Sequence, residues 1–159
     1  MKPGELTIDF LKHHEEAVPI LAKYSYDEWK PVYDRLGASF EDAVADYARR
    51  TNTDTLPLAL VAICRDQVVG TVSLKTGDLE IRPGLTPWLG GLYVVPEYRD
   101  RGIATALIRR LVDEARRLQI KRLHLWTPSA ENLYAKLGWV LSEKLRYCDY
   151  EISVMQRDL

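Results

Sequence analysis

The sequence predicts an α/β (α+β) fold in a single domain covering 1–159, and three observations carry that prediction. An uncharged run at 88–95 meets a compact turn and then a long segment of helical period at 103–118. Two apolar runs, 56–64 and 67–74, are separated only by Arg65 and Asp66, the arrangement of a hairpin. Two further runs, 139–147 and 148–156, close the chain as another hairpin. The 159 residues can bury one sizeable core, and 47% apolar with 28% charged residues is an ordinary globular mix.

Taken in order, Leu6, Ile8 and Phe10 alternate with Thr7 and Asp9, so 6–11 reads as a strand with one face inward. Glu15, Glu16 and Pro19 favour helix initiation ahead of Leu21, Ala22 and Tyr26, which places a helix over about 15–26. His13 and His14 at its start read as a solvated turn, since no third metal ligand lies nearby in sequence. Tyr24, Tyr26, Trp29, Tyr33 and Phe40 crowd the next stretch, broken by Pro31 and Gly37, where they can pack a short helical connection. Ser39, with Asp42 three residues on, caps a second helix that carries Phe40, Ala43, Val44, Tyr47 and Ala48 on one face and ends before Thr51.

In the hairpin that follows, Gly70 marks a bulge or a close backbone approach. The polar stretch 75–87, with Gly77, Pro83 and Gly84, is a long connection bearing Asp78, Glu80 and Arg82. Aromatic and branched residues make 88–95 a strand, stopped by Pro96. From Ile103, the positions Ala104, Leu107, Ile108, Leu111, Val112, Ala115 and Leu118 share one helix face, while Arg109, Arg110, Asp113, Glu114, Arg116 and Arg117 take the other. Residues 122–126 form a short strand, Thr127-Pro128-Ser129 opens a short helix, and Leu137-Gly138 closes it.

The junction Arg99-Asp100-Arg101-Gly102-Ile103-Ala104-Thr105 holds the chemistry. The first amides of a helix have no internal partner and sit in partial positive charge, so this end suits an anion. Gly102 and Ala104 leave room for one, and Arg99 and Arg101 add charge. Arg99, Gly102 and Ala104 match in order the phosphate-loop signature of the GNAT superfamily of acyl-CoA-dependent N-acetyltransferases, which the chain resembles. Val94, Pro96 and Tyr98 precede the loop as in that family, and Tyr134-Ala135-Lys136-Leu137-Gly138-Trp139 resembles its second motif. The two motifs span about a third of the chain.

The resemblance implies the same element order in a central mixed, mostly antiparallel sheet of six or seven strands flanked by about four helices. It implies that the backbone of Leu92, Tyr93 and Val94 lies along the pantetheine of acetyl-CoA like an added strand, with an amide polarising the thioester carbonyl. The diphosphate would rest on amides of Asp100, Arg101, Gly102, Ile103, Ala104 and Thr105, beside Arg99. Gly90 and Gly91 fit either a close cofactor or a bulge. The aromatic stretch 24–40 stands open between packing and a wall over the acceptor.

Tyr134 matches the motif tyrosine that protonates the leaving thiolate; a phenol with a pKa of about 10 is protonated at neutral pH. No acid lies on 88–95 where the family often places its base, so His124 on 122–126 and Asp78 on the connection are the catalytic candidates beside Tyr134. Asp149, Glu151 or an ordered water chain are further candidates. Thr127 stands where the family often has Asn. The implied function is transfer of acetyl from acetyl-CoA, as donor substrate, to a primary amine of a small molecule or protein, directly and without a covalent enzyme intermediate. A non-catalytic acyl-CoA sensor is the alternative reading. A magnesium-nucleotide loop is disfavoured, because the Lys-Ser/Thr pair it needs is missing.

Net charge of −1 argues against a general nucleic-acid binder. Cys64 and Cys148 are too few and too far apart for a disulfide framework or zinc site, and no metal is expected. Residues 1–5 lack the apolar core of a leader, and no run has membrane-spanning length, so a cytoplasmic protein without a membrane partner is expected, as monomer or homodimer.

Overall fold

A seven-stranded sheet runs in the order β1 (Leu6–Phe10), β2 (Leu58–Cys64), β3 (Gln67–Lys75), β4 (Trp88–Val94), β5 (Arg122–Thr127), β7 (Tyr150–Asp158) and β6 (Val140–Tyr147) in a computed structural model that describes residues 5–159. The segment 1–4, part of the opening stretch considered above for a leader, lies outside the described residues. Each neighbouring pair is antiparallel except β4 and β5, which are parallel because the helix α4 (Ile103–Arg117) carries the chain back between them. The mixed, mostly antiparallel sheet is therefore the expected one.

β2 is apolar without alternation because both of its faces are covered. Leu58, Leu60 and Ala62 join Leu107, Ile108, Leu111 and Ala115 of α4 in the main core, while Ala59 and Val61 meet Leu21, Ala43 and Tyr47 on the other face. Leu21 belongs to α1 (Val18–Glu28), and Ala43 and Tyr47 belong to α3 (Phe40–Arg49). Each fully buried Leu, Ile or Val side chain contributes about 1.5–3 kcal/mol through the water it sheds.

Local chemistry sets the ends. Ser39 Oγ accepts from Asp42 N at 3.1 Å and Asp42 Oδ2 accepts from Ser39 N at 2.8 Å, the reciprocal cap expected for α3. Arg65 and Asp66 both take positive φ, the two-residue turn whose twist suits a hairpin. Gly70 satisfies both of its readings: the β2–β3 register shifts beside it, and a Cβ there would stand 3.0 Å from the Tyr93 carbonyl oxygen.

Several boundaries differ from expectation. Leu11 leaves β1 for a 3-10 turn, and 15–17 form a second such turn, so α1 begins at Val18. Pro31 opens a helix rather than breaking one: α2 (Lys30–Leu36) carries proline in its first turn and ends on Gly37 at φ 65°, so five α-helices stand among the described residues. The short helix α5 (Glu131–Lys136) starts after Pro128, since Thr127 Oγ1 accepts from the Ala130 amide at 2.9 Å and holds a turn ahead of it. Glu114, assigned to the polar side of α4, is only 8% exposed because Arg110 and Arg117 fold over it at 2.9 and 2.7 Å. No helix among the described residues is long and apolar enough to cross a membrane.

Candidate active site

β4 and β5 share one register pair, Trp88 with His124, and then diverge. A cavity of about 810 Å³ is lined by residues from both strands, Leu89 to Leu92 of β4 and Trp126 and Thr127 of β5. The 75–87 connection, α1, α2, the end of α3 with Arg50, the turn before α5, Tyr134 of α5, and Tyr147 and Tyr150 of the last hairpin also line it. The indole of Trp126 donates to the Asp78 carbonyl at 3.0 Å, tying the connection to β5.

Tyr134 and Asp78 meet in this cavity. Tyr134 is 5% exposed, and burial, with the Asp78 charge adding to it, pushes its phenol well above the usual tyrosine value, so it stays protonated at neutral pH. The Asp78 carboxylate is held by Lys75 at 2.6 Å and lies against Gly90, where a Cβ would stand 2.8–2.9 Å from its atoms. Gly90 is thus bare because Asp78 occupies the space beside it. Gly91 has φ +62° at the point where the β3–β4 register shifts, which is the bulge reading of this pair.

Two further acids of the cavity are engaged, Asp46 by Arg49 and Glu80 by Arg35. Burial would raise the Glu80 carboxyl, but Arg35, at 2.6 Å from it, and the Tyr147 hydroxyl hold it below the ordinary range. His124 is set apart from the lining. It is 7% exposed and packs on Trp88 at 5.7 Å between ring centroids. Its Nδ1 has no hydrogen-bond partner, and burial, then the Arg122 charge, push its pKa down. Asp149 and Glu151 also fall outside this cavity's lining; both are exposed, Asp149 on the turn of the last hairpin and Glu151 near the start of β7. The aromatic stretch divides. Trp29 and Tyr33 line the cavity, whereas Tyr24 stacks on Tyr93 at 4.9 Å and Tyr26 packs edge-on against Phe40.

Leu92 reaches the cavity, and Tyr93 and Val94 continue the strand beyond it. There the chain makes a 3-10 turn, Pro96–Tyr98, and Arg99 Nε donates back to the Val94 carbonyl at 2.9 Å, fixing the loop on the strand end. Asp100 and Gly102 both take positive φ, the backbone of an anion-cradling turn. Gly102 begins α4 with no side chain capping it, and a Cβ there would meet nothing within 4 Å. The amides of Ile103, Ala104 and Thr105 therefore start a fifteen-residue helix beside open space. Arg101 lies over the Tyr98 ring at 5.4 Å. Among the described residues no group of three His, Cys, Asp or Glu is gathered as a metal would require.

Sequence reasoning missed two groups of the cavity. Lys75 has meaning only once Asp78 is folded onto it, and Arg50, one residue past α3, stands in no sequence pattern but is 5% exposed.

A family model described as the acetyltransferase (GNAT) family matches residues 18–139. None of the curated proteins matches the sequence significantly. Among solved structures, yncA from Salmonella typhimurium, with its cofactor acetyl-CoA, is similar with a TM-score of 0.73 at 19% identity, over 98% of this chain and 94% of that one. PaiA N-acetyltransferase from Thermoplasma acidophilum, in complex with coenzyme A, gives 0.70 at 19% identity, over 97% and 99%. A GNAT-family acetyltransferase from Streptococcus pneumoniae gives 0.72 at 17% identity, over 98% and 99%. At these identities the likeness is one of fold.

Proposed function

The chain belongs to the acetyltransferase (GNAT) family, and on that premise we propose that it transfers an acetyl group from acetyl-CoA directly to a primary amine. One observation carries the reading: the divergence of β4 from β5 leads into a cavity that holds Tyr134 and Asp78, while the same strand ends at the uncapped start of α4. The fit to the donor is physical. Open space at Gly102 and the positive φ values of Asp100 and Gly102 leave backbone amides free for a diphosphate, beside Arg99 and Arg101. Similar structures solved with acetyl-CoA and coenzyme A support acetyl-CoA as the donor.

Acetyl-CoA bound there supplies the acetyl group as a thioester. Asp78, oriented by Lys75, takes the proton that the amine must lose as its nitrogen bonds to the carbonyl carbon. Tyr134, protonated at neutral pH, gives its hydroxyl proton to the sulfur as the carbon–sulfur bond breaks. A β4 amide near Leu92 is assigned to the carbonyl oxygen. His124 has no part in this assignment, being packed on Trp88 away from the cavity.

The test is calorimetric titration with acetyl-CoA, with ATP as the control, followed by thiol release in the presence of amines. Binding in about the micromolar range, clearly tighter than ATP, is expected. Tyr134→Phe should lower kcat by about 10²–10⁴-fold with acetyl-CoA affinity nearly unchanged; equal loss of both would defeat the assignment. Tight binding with no thiol release from any amine would favour an acyl-CoA sensor instead.

A further inference from the structure

Arg50 is a buried cation with no anion beside it. It stands one residue past α3, is 5% exposed and lines the cavity. Its Nη1 donates to Ser73 Oγ at 3.0 Å, and its guanidinium lies 4.0 Å from the Tyr47 ring centroid. Among the described residues no carboxylate comes within ion-pair distance of it. The other cavity cations are neutralised, Lys75 by Asp78 and Arg82 by Glu143, and the neighbouring Asp46 is taken by Arg49. A guanidinium carries five N–H donors in a fork that fits a carboxylate through two parallel hydrogen bonds, and burying its charge uncompensated is costly. Ser73 and the Tyr47 face offset only part of that cost.

The position of this charge is specific. A Cβ on Gly91 would stand 3.3 Å from Arg50 Nη1, while one on Gly90 would touch the Asp78 carboxylate. The unmatched cation and the proton acceptor thus flank adjacent residues of β4, at the strand where the acetyl group is placed. The third feature is apolar: Trp29 meets Trp126 at 5.2 Å and Tyr150 at 5.9 Å, and all three half-buried rings line the same cavity.

We infer that the acceptor is an aromatic α-amino acid: its carboxylate docks on Arg50, its ring lies against Trp29, Trp126 and Tyr150, and its amine is directed toward Asp78. The inference rests on the acetyltransferase reading and names the acceptor for that site. A polyamine or a protein N-terminus brings no free α-carboxylate and leaves Arg50 unmatched.

The experiment compares L-phenylalanine and L-tryptophan with their methyl esters and with the decarboxylated amines, 2-phenylethylamine and tryptamine, by thiol release from acetyl-CoA. Wild type is expected to favour the free acids by about 10²-fold in kcat/KM, the effect of truncating one partner of a buried charge pair, although the esters present the more fully neutral amine. Arg50→Gln should abolish that preference, chiefly through KM, and Arg50→Lys should restore part of it. Equal use of acids, esters and amines by wild type, or an unchanged preference in folded Arg50→Gln, would overturn the proposal while leaving acetyl transfer intact. Absence of thiol release with all of these compounds, where another amine does release thiol, would also overturn it; absence with every amine tried would count against the acetyltransferase reading itself. One measurement needs neither a variant nor turnover: with coenzyme A present, 3-phenylpropanoate, which lacks the amine, should raise Tm of wild type and 2-phenylethylamine should not. The reverse order would overturn the anion site.

Discussion

Gly90 and Asp78 show how a single missing side chain serves the site. With the Asp78 carboxylate 2.8–2.9 Å from where a Gly90 Cβ would stand, alanine there must push Asp78 off its place or off Lys75. Gly90→Ala is therefore expected to lower kcat by about 10²-fold, the effect of a small misplacement of a reacting group, with acetyl-CoA affinity retained. Steady-state kinetics beside calorimetry check it, and an unchanged kcat would remove Asp78 from the proton-acceptor role. At this scale the sequence was legible only where a motif exposed it. Tyr134 and Gly102 stand in recognisable patterns, and Asp78 could be named as an acid on a connection. Lys75 and Arg50 could not be singled out, because a cation's role depends on which anion folding brings to it.

The elements owe more to local chemistry. The α4 pattern of apolar positions places Leu107, Ile108, Leu111 and Val112 in the core as expected, since one side of a helix must leave water and the other need not. Gly102 at its start allows two effects to be separated. At φ +81° any side chain strains the backbone, by about 1–2 kcal/mol, yet a Cβ there meets nothing within 4 Å. Gly102→Ala should lower Tm by a few degrees and leave acetyl-CoA affinity near that of wild type. Gly102→Glu adds bulk and like charge at the same amides and should abolish acetyl-CoA binding in a protein that circular dichroism shows to be folded. Undiminished binding in that variant would move the donor away from the loop. What the patterns missed at this scale were ends: proline began α2 where it was read as a break, and Thr127 built a turn before α5 rather than capping it.

For the whole molecule, the titrating groups set a sign for stability against pH. Glu114 and Asp9 would be raised by burial, but Arg110 and Arg117 on the first, and His13, the Phe10 amide and His14 on the second, hold both below the ordinary carboxylate range. A carboxyl more acidic folded than unfolded contributes stability above its unfolded pKa, and that contribution disappears as pH falls through the folded value. His124 acts in the same direction at higher pH. Burial lowers its folded pKa, so the unfolded chain binds the proton first and stability begins to fall below about pH 6.5. Tm should decline in two stages between neutral and strongly acidic pH, and His124→Phe should flatten the upper one; a Tm independent of pH between neutrality and the carboxylate range would contradict the buried, neutral imidazole. By itself the sequence determined the succession of strands and four of the five helices, the hairpins, the capped start of α3 and the anion-suited turn before α4, all of which follow from residue periodicity and backbone preference over a few neighbours. Only the tertiary structure decided that β7 inserts between β5 and β6, that β4 and β5 part after one register pair, and that Arg50 faces the cavity unpaired. Those outcomes depend on contacts between residues far apart in the chain, where pairing, burial and charge compensation are settled by the packed whole and leave no periodic trace in the sequence.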